Sequence, residues 1–179
     1  AQYGAEKTYE FYSTQLGRAG IWNNGTGARS RVHYGNAYVN AFWDGTQMTY
    51  GDGAGNVHPL TSVDVAGHEM SHGVTENTAN LNYSGAAGGL NDATSDIFGT
   101  AVEWYAANAA DPGDYLIGEK IDIRGNGTGV KTSEIVGPAD WESQQSNLIY
   151  QNAVGVEAVP VADHVGDAHV PVVDHDAEV

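Results

Sequence analysis

The chain has 179 residues, of which 41% are hydrophobic and 17% charged, with 24 glycines and no cysteine. That length allows one large domain or two small ones, with enough apolar material for a packed core. Acids outnumber Lys and Arg by 23 to 7, for a formal net charge of −16, which excludes nucleic acid and anionic membrane as partners because both select basic surfaces. The acidic excess suits bound calcium, a hard cation that takes carboxylate oxygens. The lack of cysteine leaves the redox compartment open. No apolar run approaches the ~18 residues of a membrane span. Ala1-Gln2-Tyr3 has neither a basic nor an apolar leader region and reads as a mature N-terminus.

In chain order, Ala5 to Leu16 predicts a short amphipathic helix closed by Gly17. Ser30 to Tyr50 is rich in Val, Tyr, Phe, Trp and Thr, and Asp44-Gly45 between two such runs predicts a hairpin. Gly51-Asp52-Gly53 and Gly55-Asn56 form a loop. Thr61 or Ser62 can cap a helix from Val63 to about Glu76, with Asp64 in its first turn. A second helix is expected from Leu90 to about Asn108, with Leu90, Ala93, Ile97, Ala101 and Trp104 as one buried stripe. Asp111-Pro112-Gly113-Asp114 supplies the turn that ends it. From Val154 the chain becomes a mixture of Val, Ala, Asp and His without clean periodicity.

Gly67-His68-Glu69-Met70-Ser71-His72 contains His-Glu-x-x-His. On a helix, residues four apart share a face, so His68 and His72 can grip one zinc ion. Glu69 then lies beside the open coordination position, where it can take a proton from water activated by the metal. Two surface histidines on an amphipathic helix are the plain alternative, and the helical context of the motif argues against it. A catalytic zinc needs a third protein ligand. Asp92 and Asp96 are four apart on the next helix, so one can bind zinc while the other accepts the free ring N–H of a ligating histidine. Spacing alone serves equally well for two solvated acids favoured by the start of a helix.

These motifs occur in order with Asn91-Asp92-Ala93-Thr94-Ser95-Asp96, Asn40-Ala41-Phe42-Trp43 and Met48-Thr49-Tyr50-Gly51-Asp52-Gly53. The run resembles the thermolysin family of zinc endopeptidases, in its actinomycete branch, over roughly residues 1–128. The resemblance implies that His68, His72 and Asp92 ligate zinc, with Asp96 orienting His68 and Asn91 supporting the site. It makes Glu69 the general base and Tyr83 a helper of the oxyanion. Asn40 and Ala41 would bind the substrate backbone along an edge strand. Asp64, Glu103, Asp111, Asp114 and Glu119 resemble carboxylates that hold calcium. Lys120, where some relatives carry another acid, implies fewer calcium ions here.

Three departures stand out. Asp92 replaces the usual Glu and is one methylene shorter. Ala86-Ala87 replaces a polar pair. The family's helical C-terminal lobe supplies a His, an Asp and an Arg, yet no Arg follows Arg124. A faint alignment of Trp141 to Val156 puts Ile149 and Gln151 where the Asp and His stand. His164 and His169, with Asp163 and Asp167, are candidate substitutes.

The expectation is an α+β protein: a zincin-like N-terminal lobe with a twisted, mostly antiparallel sheet, a zinc-binding helix and a second ligand-bearing helix. Residues 1–128 form the zinc-binding domain and 129–179 a divergent C-terminal segment. The expected activity is that of a secreted, monomeric zinc endopeptidase acting on peptides or proteins, with zinc and calcium as cofactors. The rivals are an inactive zinc- and calcium-binding fragment and a non-catalytic secreted binding module.

Overall fold

The computed structural model describes residues 1–121. The elements are α1 (Gln2–Leu16), β1 (Arg29–Tyr34), β2 (Ala41–Trp43), β3 (Gln47–Gly51), a 3-10 turn at Ala54–Asn56, α2 (Val63–Glu76) and α3 (Gly85–Ala106). The architecture is α+β, as expected. The proposed division at residue 128 and the residues considered in the tail, Ile149, Gln151, Asp163, His164, Asp167 and His169, lie outside the described residues.

The second helix in space, α2, is the centre of the packing. Of its residues, Val63 to Ser71 and Gly73 to Thr75 are buried. α1 lies against it through Gly4, Thr8 and Tyr12, one face at spacings of four. A Cβ on Gly4 would stand 2.5 Å from Ala66 Cβ, so glycine sets how near the two helices come. The Tyr12 hydroxyl and Ser71 Oγ share a buried hydrogen bond of 2.7 Å. α1 starts at Gln2, earlier than the aromatic pattern suggested, and closes at left-handed Gly17, whose N–H bonds the Tyr12 carbonyl.

The sheet has the order β1-β3-β2. Asp44-Gly45 turns β2 into β3 as an antiparallel hairpin, with Ala41 opposite Tyr50 and Trp43 opposite Met48. The Asp44 carboxylate holds the turn by accepting the N–H and O–H of Thr46 and the N–H of Gln47 at 2.7–3.0 Å. The expectation of mostly antiparallel pairing needs adjustment among the described residues: β1 runs parallel to β3. Nothing local in β1 encodes that direction, which follows from the path of the connection.

Among the described residues β2 is an edge strand. Its bonded partners on β3 are marked by Gly51 N–H to Asn40 O and Asp44 N–H to Gln47 O. Alternation therefore points the N–H and C=O of Ala41 and Trp43 away from β3, towards the free edge. The core joins Tyr12, Ile21, Met48, Tyr50, Leu60, Val65, Met70, Val74 and Ile117.

α2 has the bounds expected from its sequence. Ser62 stands at its N-cap, but its hydroxyl makes no capping bond. α3 presents a different face from the one its apolar periodicity suggests. Leu90, Ile97 and Trp104 are more than half exposed. The buried face instead carries Asn91, Asp92, Ser95, Asp96, Gly99, Val102 and Glu103, together with Ala93. The reason is the partner helix: the acids of α3 meet the histidines of α2, and Gly67 packs on Gly99. A Cβ at Gly67 would lie 3.0 Å from Gly99 Cα. α3 ends at Ala106 with Ala107 in the left-handed region, and Asp111 pairs back with Asn108.

Candidate metal centre and cleft

His68 and His72 lie one turn apart on α2, and α3 brings Asp92 to them. All three are buried or nearly so. The Nε2 atoms of the two histidines are 2.9 Å apart, and Asp92 Oδ1 is 3.8 Å from His68 Nε2 and 3.5 Å from His72 Nε2. A tetrahedral ion with bonds of about 2.0–2.2 Å holds its ligand atoms roughly 3.3–3.6 Å apart. The three atoms straddle that range, so they fit one zinc-sized cation despite the short Asp92 side chain.

The outer bonds fix the rings. His68 Nδ1 meets Asp96 Oδ1 at 2.8 Å. His72 Nδ1 meets Asn91 Oδ1 at 2.7 Å and Ser95 Oγ at 3.1 Å. Asn91 is itself tied down by donating to the Leu81 carbonyl at 3.1 Å. Both Nε2 atoms are thus turned towards Asp92.

Charge in this metal-free cluster is distributed by burial and by neighbours. Burial disfavours the His68 imidazolium, but the Asp96 hydrogen bond and the charges of Asp96, Glu69 and Asp92 outweigh it and raise the ring to about 9. His72 is pushed down to about 3 by burial and by His68. Burial lifts Asp92 to about 6, against the pull of His68 and the Tyr83 hydrogen bond. Glu69 rises to about 7, chiefly through burial and with help from the Asp92 charge, against the pull of His68 and of the Trp43 backbone N–H. A carboxylate held near neutrality in a cleft is suited to general-base work.

The cleft beside these groups has a volume of about 320 Å³, and its walls include Ala41, Trp43, Glu69, His72 and Tyr83. Asn40 and Ala41 sit on its β2 wall, where the Asn40 side chain accepts the Ala41 N–H at 2.9 Å. The Tyr83 hydroxyl is directed at the Asp92 carboxylate, and burial with the Asp92 charge raises its pKa. Three residues of this site carry no role in the sequence reading. Ser95 lies within a quoted motif, so its spacing from Asn91 was the available signal. Trp43 and Glu76 reach the site only through tertiary packing.

A second group gathers at the other end of the α2–α3 pair. Carboxylate oxygens of Asp64, Glu103 and Glu119 lie within 4.8 Å of one another. Glu103 Oε1, Asp111 Oδ1 and both Glu119 oxygens are buried without a hydrogen-bond partner. Burial and mutual repulsion raise Glu103 to about 8 and Glu119 to about 7, and raise Asp111 as well. Orphaned carboxylate oxygens that converge could hold a hard cation. Asp64 and Asp114 do accept backbone N–H groups, Asp64 those of Val65 and Gly118 and Asp114 Oδ1 that of Leu116, while the Asp114 N–H donates to Glu103 Oε2. Lys120 Nζ stands 3.9 Å from Asp111 and from Glu119.

Comparison with known proteins agrees with this geometry. The family model described as thermolysin metallopeptidase, catalytic domain, matches residues 1–76, and that for the thermolysin alpha-helical domain matches residues 79–165. The second match continues past residue 128. The transglutaminase-activating metalloprotease of Streptomyces mobaraensis is 65% identical over 130 residues, covering 72% of this chain and 17% of that protein. Bacillolysin of Bacillus cereus is 50% identical over 123 residues, covering 68% of this chain and 21% of that protein. The precursor of protealysin, a metalloproteinase from Serratia proteamaculans, superposes with a TM-score of 0.63 at 39% identity, over 78% of this chain and 45% of that one. The chain spans about a fifth of the length of the two curated relatives. Two adjoining models of one family and relatives of this identity lead to one conclusion: the chain belongs to the thermolysin family of metallopeptidases.

Proposed function

We propose that the chain is the zinc-binding part of a secreted endopeptidase, with His68, His72 and Asp92 as zinc ligands and Glu69 as general base. The convergence of three ligand atoms beside a buried carboxylate in an open cleft carries this reading. Bound zinc would polarise the scissile carbonyl and lower the pKa of water there. The protein's own groups do the rest. Glu69, poised near neutrality, takes the proton from the attacking water. Asp96, Asn91 and Ser95 hold the imidazole rings in place. Tyr83, kept protonated by burial and by its acidic neighbour, supplies an O–H donor for the oxyanion. Asn40 and Ala41 receive the peptide backbone in strand-addition mode, so a peptide or protein is the substrate.

Calcium is proposed as the second cofactor, held by Asp64, Glu103, Asp111 and Glu119, with Asp114 shaping the loop. The unpartnered buried oxygens support it. Among the described residues no helix is long and apolar enough to cross a membrane, which fits an extracellular enzyme acting as a monomer.

Casein hydrolysis by the zinc-loaded chain, abolished by a zinc chelator, restored by zinc and lost in Glu69→Gln, is the expected result. A chain that carries one zinc yet cleaves nothing would overturn the reading. That outcome would favour a metal-binding portion without turnover of its own. One observation points that way: no Arg or Lys lines the cleft among the described residues.

A further inference from the structure

Glu69, Gly73 and Glu76 follow one another at intervals of four and three, so they form a single stripe on α2. Trp43 lies along all three. Its backbone lies on the Glu69 side of the cleft, which both residues line, and its N–H favours the charged form of that carboxylate. Its ring covers Gly73, where a built Cβ would stand 3.2 Å from Trp43 Cε2. Its indole N–H donates to Glu76 Oε2 at 2.5 Å. Trp22 closes the far side, with ring centroids 6.1 Å apart.

The contacts have different consequences. Main-chain atoms of Trp43 belong to the short strand β2, which among the described residues is paired on one side only. At Gly73 the ring meets no side chain of the helix itself, and Ile21 shares that glycine with it, its Cδ1 standing 2.9 Å from a built Cβ. The Glu76 bond is directional and charge-assisted, and it fixes the ring along the helix axis. Because the backbone and the indole of one residue are held at two points about seven residues apart, moving one end moves the other.

We propose that Glu76 is a positioning residue: by anchoring the Trp43 indole it holds the Trp43 backbone N–H on Glu69 and keeps the edge strand in register with the catalytic carboxylate. This rests on the peptidase reading for its effect on turnover, but not for its structural half. Glu76 touches no reacting atom, and its contribution is geometric.

The test uses the full zinc-loaded chain and four variants. Trp43→Phe identifies the Trp43 indole and backbone amide resonances by NMR. In Glu76→Ala both resonances of Trp43 are expected to move and the indole proton to exchange at least about tenfold faster. In Glu76→Gln, whose amide oxygen accepts the same bond, both should stay near their wild-type positions. Turnover in Glu76→Ala should fall about tenfold with KM changed less than about twofold, and Glu76→Gln should recover most of it, since a misplacement of about 1 Å can cost as much as 10²-fold. Gly73→Ala, which displaces both the Trp43 ring and Ile21 while leaving Glu76 in place, should also shift the Trp43 backbone amide. A backbone amide of Trp43 that stays put in Glu76→Ala overturns the proposal, as does equal loss in the Ala and Gln variants. The Trp43 shifts seen in Glu76→Ala, together with wild-type protein that cleaves no peptide, defeat the peptidase reading and leave the Glu76–Trp43 anchor standing.

Discussion

The Tyr83 hydroxyl lies 2.7 Å from both carboxylate oxygens of Asp92. One O–H thus bridges the two oxygens of the third proposed ligand and sets the plane of that carboxylate. Removing the hydroxyl frees Asp92 to rotate. Tyr83→Phe is therefore expected to weaken zinc binding as well as turnover. Loss of such an outer partner typically costs about 10–100-fold in metal affinity or activity. Competition for zinc against a chromophoric chelator measures the first effect separately from the second. Unchanged zinc affinity would show that Tyr83 acts on the substrate alone.

The Gly67–Gly99 contact lets α2 and α3 approach closely enough for both acidic groups to span them. A Cβ on Gly99 would stand 2.6 Å from the Asp64 carbonyl oxygen and 3.2 Å from His68 N. Both neighbours are backbone and cannot turn aside. Gly99→Ala is expected to destabilise the fold by about 1–3 kcal/mol, the usual range for overpacking. Urea unfolding of the metal-loaded chain checks this.

The acidic group proposed to hold calcium makes stability depend on pH in a defined direction. Glu103 and Glu119 have folded-state pKa values of about 8 and about 7, above their ordinary value of 4.5. The calcium-free folded state therefore holds protons that the unfolded chain releases. That stabilisation is fully present below about pH 4.5 and is lost as pH rises through 7 and 8. Thermal unfolding in EGTA should show a falling midpoint over this interval. Saturating calcium should remove the trend, because the cation takes the place of the protons. A flat profile in EGTA would count against the group as a cation site.

Asp44 behaves in the opposite sense. Burial acts to raise its carboxyl, but hydrogen bonds from Thr46 and Gln47 outweigh it and hold the group at about 2, below its ordinary 3.8. Its contribution is present above pH 3.8 and is lost as pH falls through 2. Asp44→Ala should cost about 0.5–1 kcal/mol, the lower part of the usual hydrogen-bond range, because the carboxylate is partly open to solvent. Amide exchange at Trp43 and Gln47 should quicken if the hairpin loosens.

How much of this was legible in the sequence varied with the range of the interaction concerned. α2 was readable to its ends because Ser62, Asp64 and its periodicity are local signals. The Asp44-Gly45 hairpin was readable for the same reason. The spacing of Asp92 and Asp96 showed that they share a face, though not what that face meets. The inward face of α3 was read wrongly apart from Ala93, because Leu90, Ile97 and Trp104 have the periodicity of a core stripe while the residues that go inside beside Ala93 and Val102 are Gly, Ser, Asn and acids. Hydropathy cannot register a face buried for its chemistry. The parallel pairing of β1 with β3 and the placement of Trp43 over α2 depend on chain path, to which no short window is sensitive.

The free edge of β2 also limits what it can hold. Of its two outward N–H groups, that of Ala41 is engaged by the Asn40 side chain and that of Trp43 is turned to the Glu69 side of the cleft, which leaves this three-residue strand to offer carbonyls to a guest. An acceptor-only rim selects for amide hydrogens along the incoming backbone and is indifferent to which side chains flank them. Peptides carrying proline or an N-methyl group at the aligned position would lose that grip whatever their sequence elsewhere.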